Sequence, residues 1–333
     1  MLRTFLPAVV AAALLAGCSA PAAGPADQAA DSAAAFPVTV THRLGETVVA
    51  QQPTRVVALG VADADVAAAL GVTPVAAAGS PYSADGVWPW AVGTLDPGRT
   101  EILDTTSGDG LSLEKVAALD PDLILAHSFA GIDALYPQLS AIAPTVADTA
   151  GVLADSWQDE ARSVGAALGR SDRAEHLVAE VEADLERTRT AHPGLDGAAF
   201  VVGWAREPGS IAVTGRPDDI TADLFAALGM HLDDEVAALP RQEGSARGAG
   251  AATVSFEQLA VLDTDLLLLA ASTPELAAQV TGSPLFERLT VARDGRYQVV
   301  DLATVSALRL PTAGNIPWLL NQLDPVLGKV NPS

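Results

Sequence analysis

The residues of this 333-residue chain that have catalytic side chains are not spaced for catalysis. The five histidines, at 42, 127, 176, 192 and 231, are scattered, and none lies at metal-ligand spacing from another. There is no G-x-S-x-G elbow, no H-E-x-x-H, no Walker loop and no G-x-G-x-x-G turn. What remains is binding chemistry. Ligands of α/β sheets sit beyond the carboxyl ends of the strands. The residues that fall at such ends are Asp63 and Asp65, Tyr82, Trp88 and Trp90, His127, Ser128 and Phe129, Trp204 and Arg206, and Arg216, with Arg309 ahead of the last helix. Tryptophans on loops suit a platform for a bulky ligand; the alternative is that Trp88 and Trp90 only seal the first half of the chain. Arg206 and Arg216 suit an anionic or oxygen-rich ligand, or are ordinary surface charges. His127 follows the strand LILA, where a ligand contact and a capping role are both open.

A second candidate is a pair. LSLEKVAALDPDLIL (111–125) and VSFEQLAVLDTDLLL (254–268) align without gaps and share Glu114/Glu257, Asp120/Asp263 and Asp122/Asp265 among other matches. Each copy reads as a short helix stopped before an apolar strand, with the glutamate in the first helical turn. There an acid favours the helix dipole by roughly 0.3–1 kcal/mol wherever it occurs.

The elements that must position these residues follow from pattern. VTVTHRLGETVVA alternates about Leu44-Gly45-Glu46 and predicts a hairpin. RVVALG, ADADVAAALG and VTPVAAAG give strand, helix and strand, the unit of a parallel sheet. EILD and LILA are further strands. Residues 154–191 contain no proline and no strand pattern. They read as two helical stretches meeting near Gly169-Arg170-Ser171, the second long enough at about 20 residues to span roughly 30 Å. After Pro193-Gly194 the α/β pattern resumes. The organisation is therefore an N-terminal α/β lobe over 37–150, a helical linker over 151–193 and a C-terminal α/β lobe over 194–330.

Residues 1–18 read as a secretory leader. Arg3 supplies the positive end, Phe5 to Ala16 the short apolar stretch, and LAGC resembles the lipobox of bacterial lipoproteins, which predicts lipidation of Cys18, the only cysteine. Residues 19–36 are small, polar and proline-containing, a flexible tether. A net charge of −22 argues against a nucleic-acid partner.

Taken together, VTVTHRLGETVVAQQPTRVVALG, ALGVTPVA, WPWA, LSLEKVAALDPDLILA, LSAIAPTVA and SPLFERLTVARDGRYQVVDL resemble the iron-siderophore substrate-binding lipoproteins of ABC importers, within the group that also holds vitamin B12 and haem binders. The resemblance covers essentially all of 37–330. It implies an α/β fold of two Rossmann-like lobes bridged by a long helix, with the ligand cleft between the lobes. The implied molecule is a monomeric, lipid-anchored, extracytoplasmic binder of a ferric siderophore, neither an enzyme nor a cofactor protein, and it binds no metal directly. Its partner is a membrane permease, onto whose arginines Glu114 and Glu257 would dock. Tyr82, Trp88, Trp90, His127, Ser128, Trp204, Arg206, Arg216 and Arg309 are the expected ligand contacts. A strongly anionic catecholate complex would want several cleft arginines; the acidic chain leans instead to hydroxamate or mixed chelators. The alternatives are a haem or corrinoid binder with His127 or Tyr82 as axial ligand, and a lipid-anchored enzyme, which the lack of a nucleophile–base pair disfavours.

Overall fold

The computed structural model describes residues 36–105, 110–214, 216–241 and 251–331. Cys18 and most of the 19–36 tether lie outside them. The alternating segment forms an antiparallel hairpin, β1 (Val38–His42) and β2 (Gly45–Val49). Arg43, in its turn, donates to the buried carboxylate of Asp148 at 2.6 and 3.1 Å and to Asp133 at 2.6 Å, which fastens the hairpin to the first sheet.

That sheet has five parallel strands, β3 (Val56–Ala58), β4 (Ala76–Ala78), β5 (Glu101–Leu103), β6 (Leu123–Ala126) and β7 (Thr145–Ala147), in the order β5-β4-β3-β6-β7. Both faces of β3, β4, β6 and β7 are buried, so they read as short apolar runs without alternation. Helices α1 (Val61–Ala69), α2 (Leu113–Ala118) and α3 (Ile132–Ile142) belong to this lobe. The strand order reverses between β3 and β6, and the crevice beyond their carboxyl ends is where such a sheet admits a ligand.

The spine consists of α4 (Trp157–Ala167) and α5 (Ser171–Ala191). The break falls at Gly169, whose φ of +67° suits glycine. The two helices approach closely because Gly165 faces Ala174: a Cβ at 165 would lie 2.4 Å from that side chain. The buried stripe of α5 is Ala174, Val178, Val181 and Leu185.

The second sheet is centred on β8 (Ala199–Glu207). On one side β8 pairs in parallel with β12 (Leu266–Ala271), and β12 with β13 (Tyr297–Val300). On the other, β10 (His231–Leu232) pairs in parallel with the start of β8, and β9 (Ser210–Thr214) turns back antiparallel on its end, followed by β11 (Ala251–Ser255). Helices α6 (Ile220–Ala227), α7 (Asp234–Ala237), α8 (Pro274–Thr281), α9 (Thr290–Arg293), α10 (Leu302–Arg309) and α11 (Ile316–Leu327) complete the lobe. Neither β11 nor α10 is readable from pattern. Most of α10 is buried, including Ala303, Val305, Ala307 and Leu308, so it shows no polar face. A single apolar core runs from Val56 and Leu123 in the first lobe through Trp157, Val164 and Val178 of the spine to Phe200, Leu267 and Leu319 in the second.

The duplicated stretches occupy equivalent places, ahead of β6 and β12. Their aspartates do equivalent work. Asp122 accepts from the backbone N–H groups of Thr54 and Arg55, both at 2.8 Å, and so holds the start of β3. Asp265 accepts from Ala199 N–H at 2.9 Å and holds the start of β8. Arg55 covers the carbonyls of Leu119 and Asp120; Arg296 covers those of Thr264 and Asp265. The helical parts differ. Ser112 caps α2 by accepting from Lys115 N–H at 3.2 Å. Ser255 makes no such bond, Gln258 departs from helical angles, and residues Phe256–Leu262 form kinked 3-10 turns. A charged acceptor on backbone N–H contributes about 1.5–3 kcal/mol. Asp122→Ala and Asp265→Ala are therefore each expected to lower unfolding stability by about 1–3 kcal/mol, measured by urea denaturation; a loss under about 0.5 kcal/mol in both would contradict the equivalence.

Candidate functional site

The loop after β4 carries Tyr82, Trp88 and Trp90. A 3-10 turn at Pro89–Ala91 brings the two indoles together. Their rings stack at 4.7 Å and 16°, with Tyr82 edge-on to Trp88 at 6.0 Å. On its other side Trp90 meets Trp318 of α11 at 5.3 Å. The aromatic row thus starts in the first lobe and ends on the last helix of the chain.

Asp65, in α1, anchors this row. Its Oδ2 accepts from Trp90 Nε1 at 2.8 Å and from Thr312 Oγ1 at 3.1 Å. Thr312 is itself fixed, because its N–H donates to Asn315 Oδ1 and its Oγ1 accepts from Asn315 N–H, both at 2.9 Å. Gly314 lets that loop lie on α1: a Cβ there would come within 3.0 Å of Asp65. Burial pushes the Asp65 carboxyl up to about 7, against the pull of its Trp90 and Thr312 hydrogen bonds. Its Oδ1 is buried and has no hydrogen-bond partner.

The facing side comes from β8 and α10. The Arg206 guanidinium lies over the Trp204 ring, 4.2 Å from its centroid. Arg309, in the last turn of α10, lines a cavity of about 10 Å³ together with Trp204. Its pKa is lowered first by burial and then by the like charge of Arg206, while Asp219 and Tyr82 oppose the shift. The indole N–H groups of Trp88 and Trp204 are buried and make no hydrogen bond. Two guanidinium groups about the Trp204 ring are suited to a ligand rich in anionic oxygen.

Three expected contacts have other surroundings. Arg216 is exposed and closes a bidentate pair with Asp218 at 2.8 and 2.5 Å. Ser128 Oγ accepts from Ala62 N–H at 3.1 Å, in the first turn of α1. His127 is 2% exposed, with Nδ1 2.7 Å from Asp63 Oδ1 and Nε2 2.8 Å from Ser163 Oγ. A larger groove of about 380 Å³ lies between the spine and α6, lined by Trp157, Arg162, Glu182 and Asp223 among others. It lacks the aromatic row, and Arg162 is paired with Glu175 at 3.0 Å.

The order Asp63–His127–Ser163 is that of a hydrolytic triad, a nucleophile–base contact the sequence reading did not find. Ser163 lies in the interior of α4. There the neighbouring backbone N–H groups are committed to helical hydrogen bonds, so no oxyanion donors stand beside it. Trp318 and Thr312 were also missed. Trp318 sits in an apolar helix and reads as core, and Thr312 has no periodic signal. Glu160 was readable: it falls on the stripe of Trp157, Ala161 and Val164, where an acid is out of place.

Glu114 and Glu257 are both exposed. The Glu114 carboxyl is held below its usual range by its own backbone N–H and by Ser112.

A family profile described as "Periplasmic binding protein" matches residues 56–302. A putative ABC transporter substrate-binding lipoprotein of Bacillus subtilis (strain 168), YhfQ, is 27% identical over 289 residues, covering 84% of this chain and 85% of that one. The Fe(3+) dicitrate-binding periplasmic protein FecB of Escherichia coli (strain K12) is 28% identical over 281 residues, covering 83% and 86%. Among solved structures, a periplasmic solute binding protein from Mycobacterium smegmatis superposes with a TM-score of 0.74 at 25% identity, covering 88% of this chain and 98% of that one. With two α/β lobes joined by a helical spine and a family match over residues 56–302, the chain belongs to the periplasmic binding protein family.

Proposed function

We propose that this protein is the extracytoplasmic receptor of an ABC importer, held to the membrane by a lipid on Cys18, and that it captures an anionic ferric chelate and delivers it to the permease. The observation that carries the ligand class is the pair of arginines about Trp204: Arg206 lies over its ring, and Arg309 lines a cavity with it and feels the like charge of Arg206. The chain's overall acidity suggested a near-neutral or cationic hydroxamate complex. Charge at contact distance outweighs that average, because water and salt screen remote surface charges beyond about 8 Å at physiological ionic strength. The dicitrate binder among the relatives supports the same choice. A haem or corrinoid reading would need an axial ligand beside the aromatic row; His127 is buried and turned to the interior cluster with Asp63 and Ser163, which leaves Tyr82 as its one candidate.

Glu114 and Glu257 are the docking points for the permease. Support comes from the duplicated unit itself: Asp122 and Asp265 are used to hold strands, whereas the two glutamates point to solvent on equivalent elements and hold nothing across the fold.

Two outcomes follow. Arg206→Gln and Arg309→Gln should each weaken binding of ferric citrate by roughly tenfold to a hundredfold, the value of one charge-assisted hydrogen bond, and leave a neutral ferric trihydroxamate unaffected. Calorimetry on the full-length chain in detergent measures both; equal affinity of wild type and variants for ferric citrate would rule the ligand class out. The Glu114→Ala, Glu257→Ala double variant should keep its affinity for the chelate but slow iron uptake by cells. Uptake at the wild-type rate would remove the docking role.

A further inference from the structure

Behind the cleft, at the point where the strand order of the first sheet reverses, three ionisable side chains meet in the protein interior. Asp63 comes from the first turn of α1, His127 from the end of β6 and Glu160 from α4 of the spine. Each offers one donor atom within 4.8 Å of the others. They are 0%, 2% and 5% exposed respectively. Asp63 is anchored by the N–H of Gly60 on Oδ2 at 3.0 Å and by the N–H of His127 on Oδ1 at 3.2 Å. Glu160 Oε1, in contrast, is buried with no hydrogen-bond partner. Among the described residues, neither carboxylate has a lysine or arginine ion-pair partner. Asp65, with its own unpartnered Oδ1, adds a further acid nearby.

An unpaired carboxylate in the interior must either take up a proton or gain a compensating charge. We propose that Asp63, His127 and Glu160 form a binding site for a divalent transition-metal cation, separate from the ligand cleft. The donor set is one imidazole nitrogen and two carboxylates. That set suits Zn²⁺, Mn²⁺ or Fe²⁺, and is poor for Ca²⁺ and Mg²⁺, which take oxygen ligands. Ser163 completes the arrangement: its hydroxyl holds Nε2 at 2.8 Å and leaves Nδ1, on the Asp63 side, as the ligand nitrogen. The cation would tie α1, the end of β6 and the spine together next to Asp65, whose other oxygen reaches the C-terminal loop. This proposal departs from the expectation from sequence that the protein binds no metal directly; the three residues are 33 to 97 positions apart and share no motif.

The test is calorimetric titration of the full-length, tag-free chain in detergent, stripped with chelator, using Zn²⁺, Mn²⁺, Fe²⁺ and Ca²⁺ separately. One saturable site per chain is expected for a transition cation and none for Ca²⁺, with a metal-dependent rise in the unfolding temperature. Glu160→Gln and His127→Asn should each weaken that binding at least about tenfold and abolish the thermal shift, read against each variant's own metal-free unfolding temperature. Should one variant fail to fold, the other and the wild-type titration still decide. No saturable transition-metal binding by the wild type, or unchanged binding in a folded variant, would overturn the site. Ferric chelate binding is measured separately and does not enter either result.

Discussion

The cleft depends on one buried carboxylate. Asp65 accepts hydrogen bonds from Trp90, on the aromatic loop, and from Thr312, on the loop between the last two helices. It is inaccessible to water, and burial makes its ionised form expensive. What keeps it there is that two donors from distant parts of the chain have no better acceptor. Without it the Trp90 indole would lose its fixed orientation, and with it its stacking on Trp88 and its tilted contact with Trp318. Thr312 could not rest on α1 either, nor would Gly314 have a reason to approach so closely. The wall of the cleft and the meeting of the two lobes are thus set by the same atom pair.

Much of the fold was legible because its causes are local. The hairpin follows from alternation about Leu44-Gly45. The parallel strands follow from buried apolar runs, and the break in the spine from Gly169. The pairing of Asp122 with Asp265 was visible as a repeat, though its purpose was not: that each aspartate grips the start of a neighbouring strand depends on contacts some 66 residues apart. Elements whose surroundings are buried on most sides, such as α10, left no periodic trace. The same cause hid the difference between the two copies, since the α-helix at 113–118 and the 3-10 turns at 256–262 differ by one capping bond.

The site was legible by residue type more than by role. Tryptophans on a loop and arginines beyond strand ends are unusual in the sequence; in the structure Tyr82, Trp88 and Trp90 pack together, with Trp88 buried in the core of the first lobe, and Arg206 and Arg309 gather about Trp204. His127 and Ser128 were flagged by the same rule of strand ends, and the structure turns both inward, where they serve α1 and the buried cluster. Arg216 is two residues from Asp218, close enough in sequence for the bidentate pair to be foreseen. Thr312 and Trp318 could not be foreseen, because their partners arrive from the opposite end of the chain.

These features divide the molecule into a rigid support and a receptive face. The support is the shared core and the spine; the proposed face is made of the aromatic row and of Arg206 and Arg309 about Trp204. The central claim is that a ferric chelate sits on that face, and the tryptophans report on it directly. The decisive measurement is intrinsic fluorescence of the full-length chain titrated with ferric citrate and, separately, with citrate free of iron. The account predicts saturable quenching by the ferric complex alone, with an amplitude that shrinks in Trp88→Phe and Trp90→Phe. No quenching, or the same response to iron-free citrate, would contradict it.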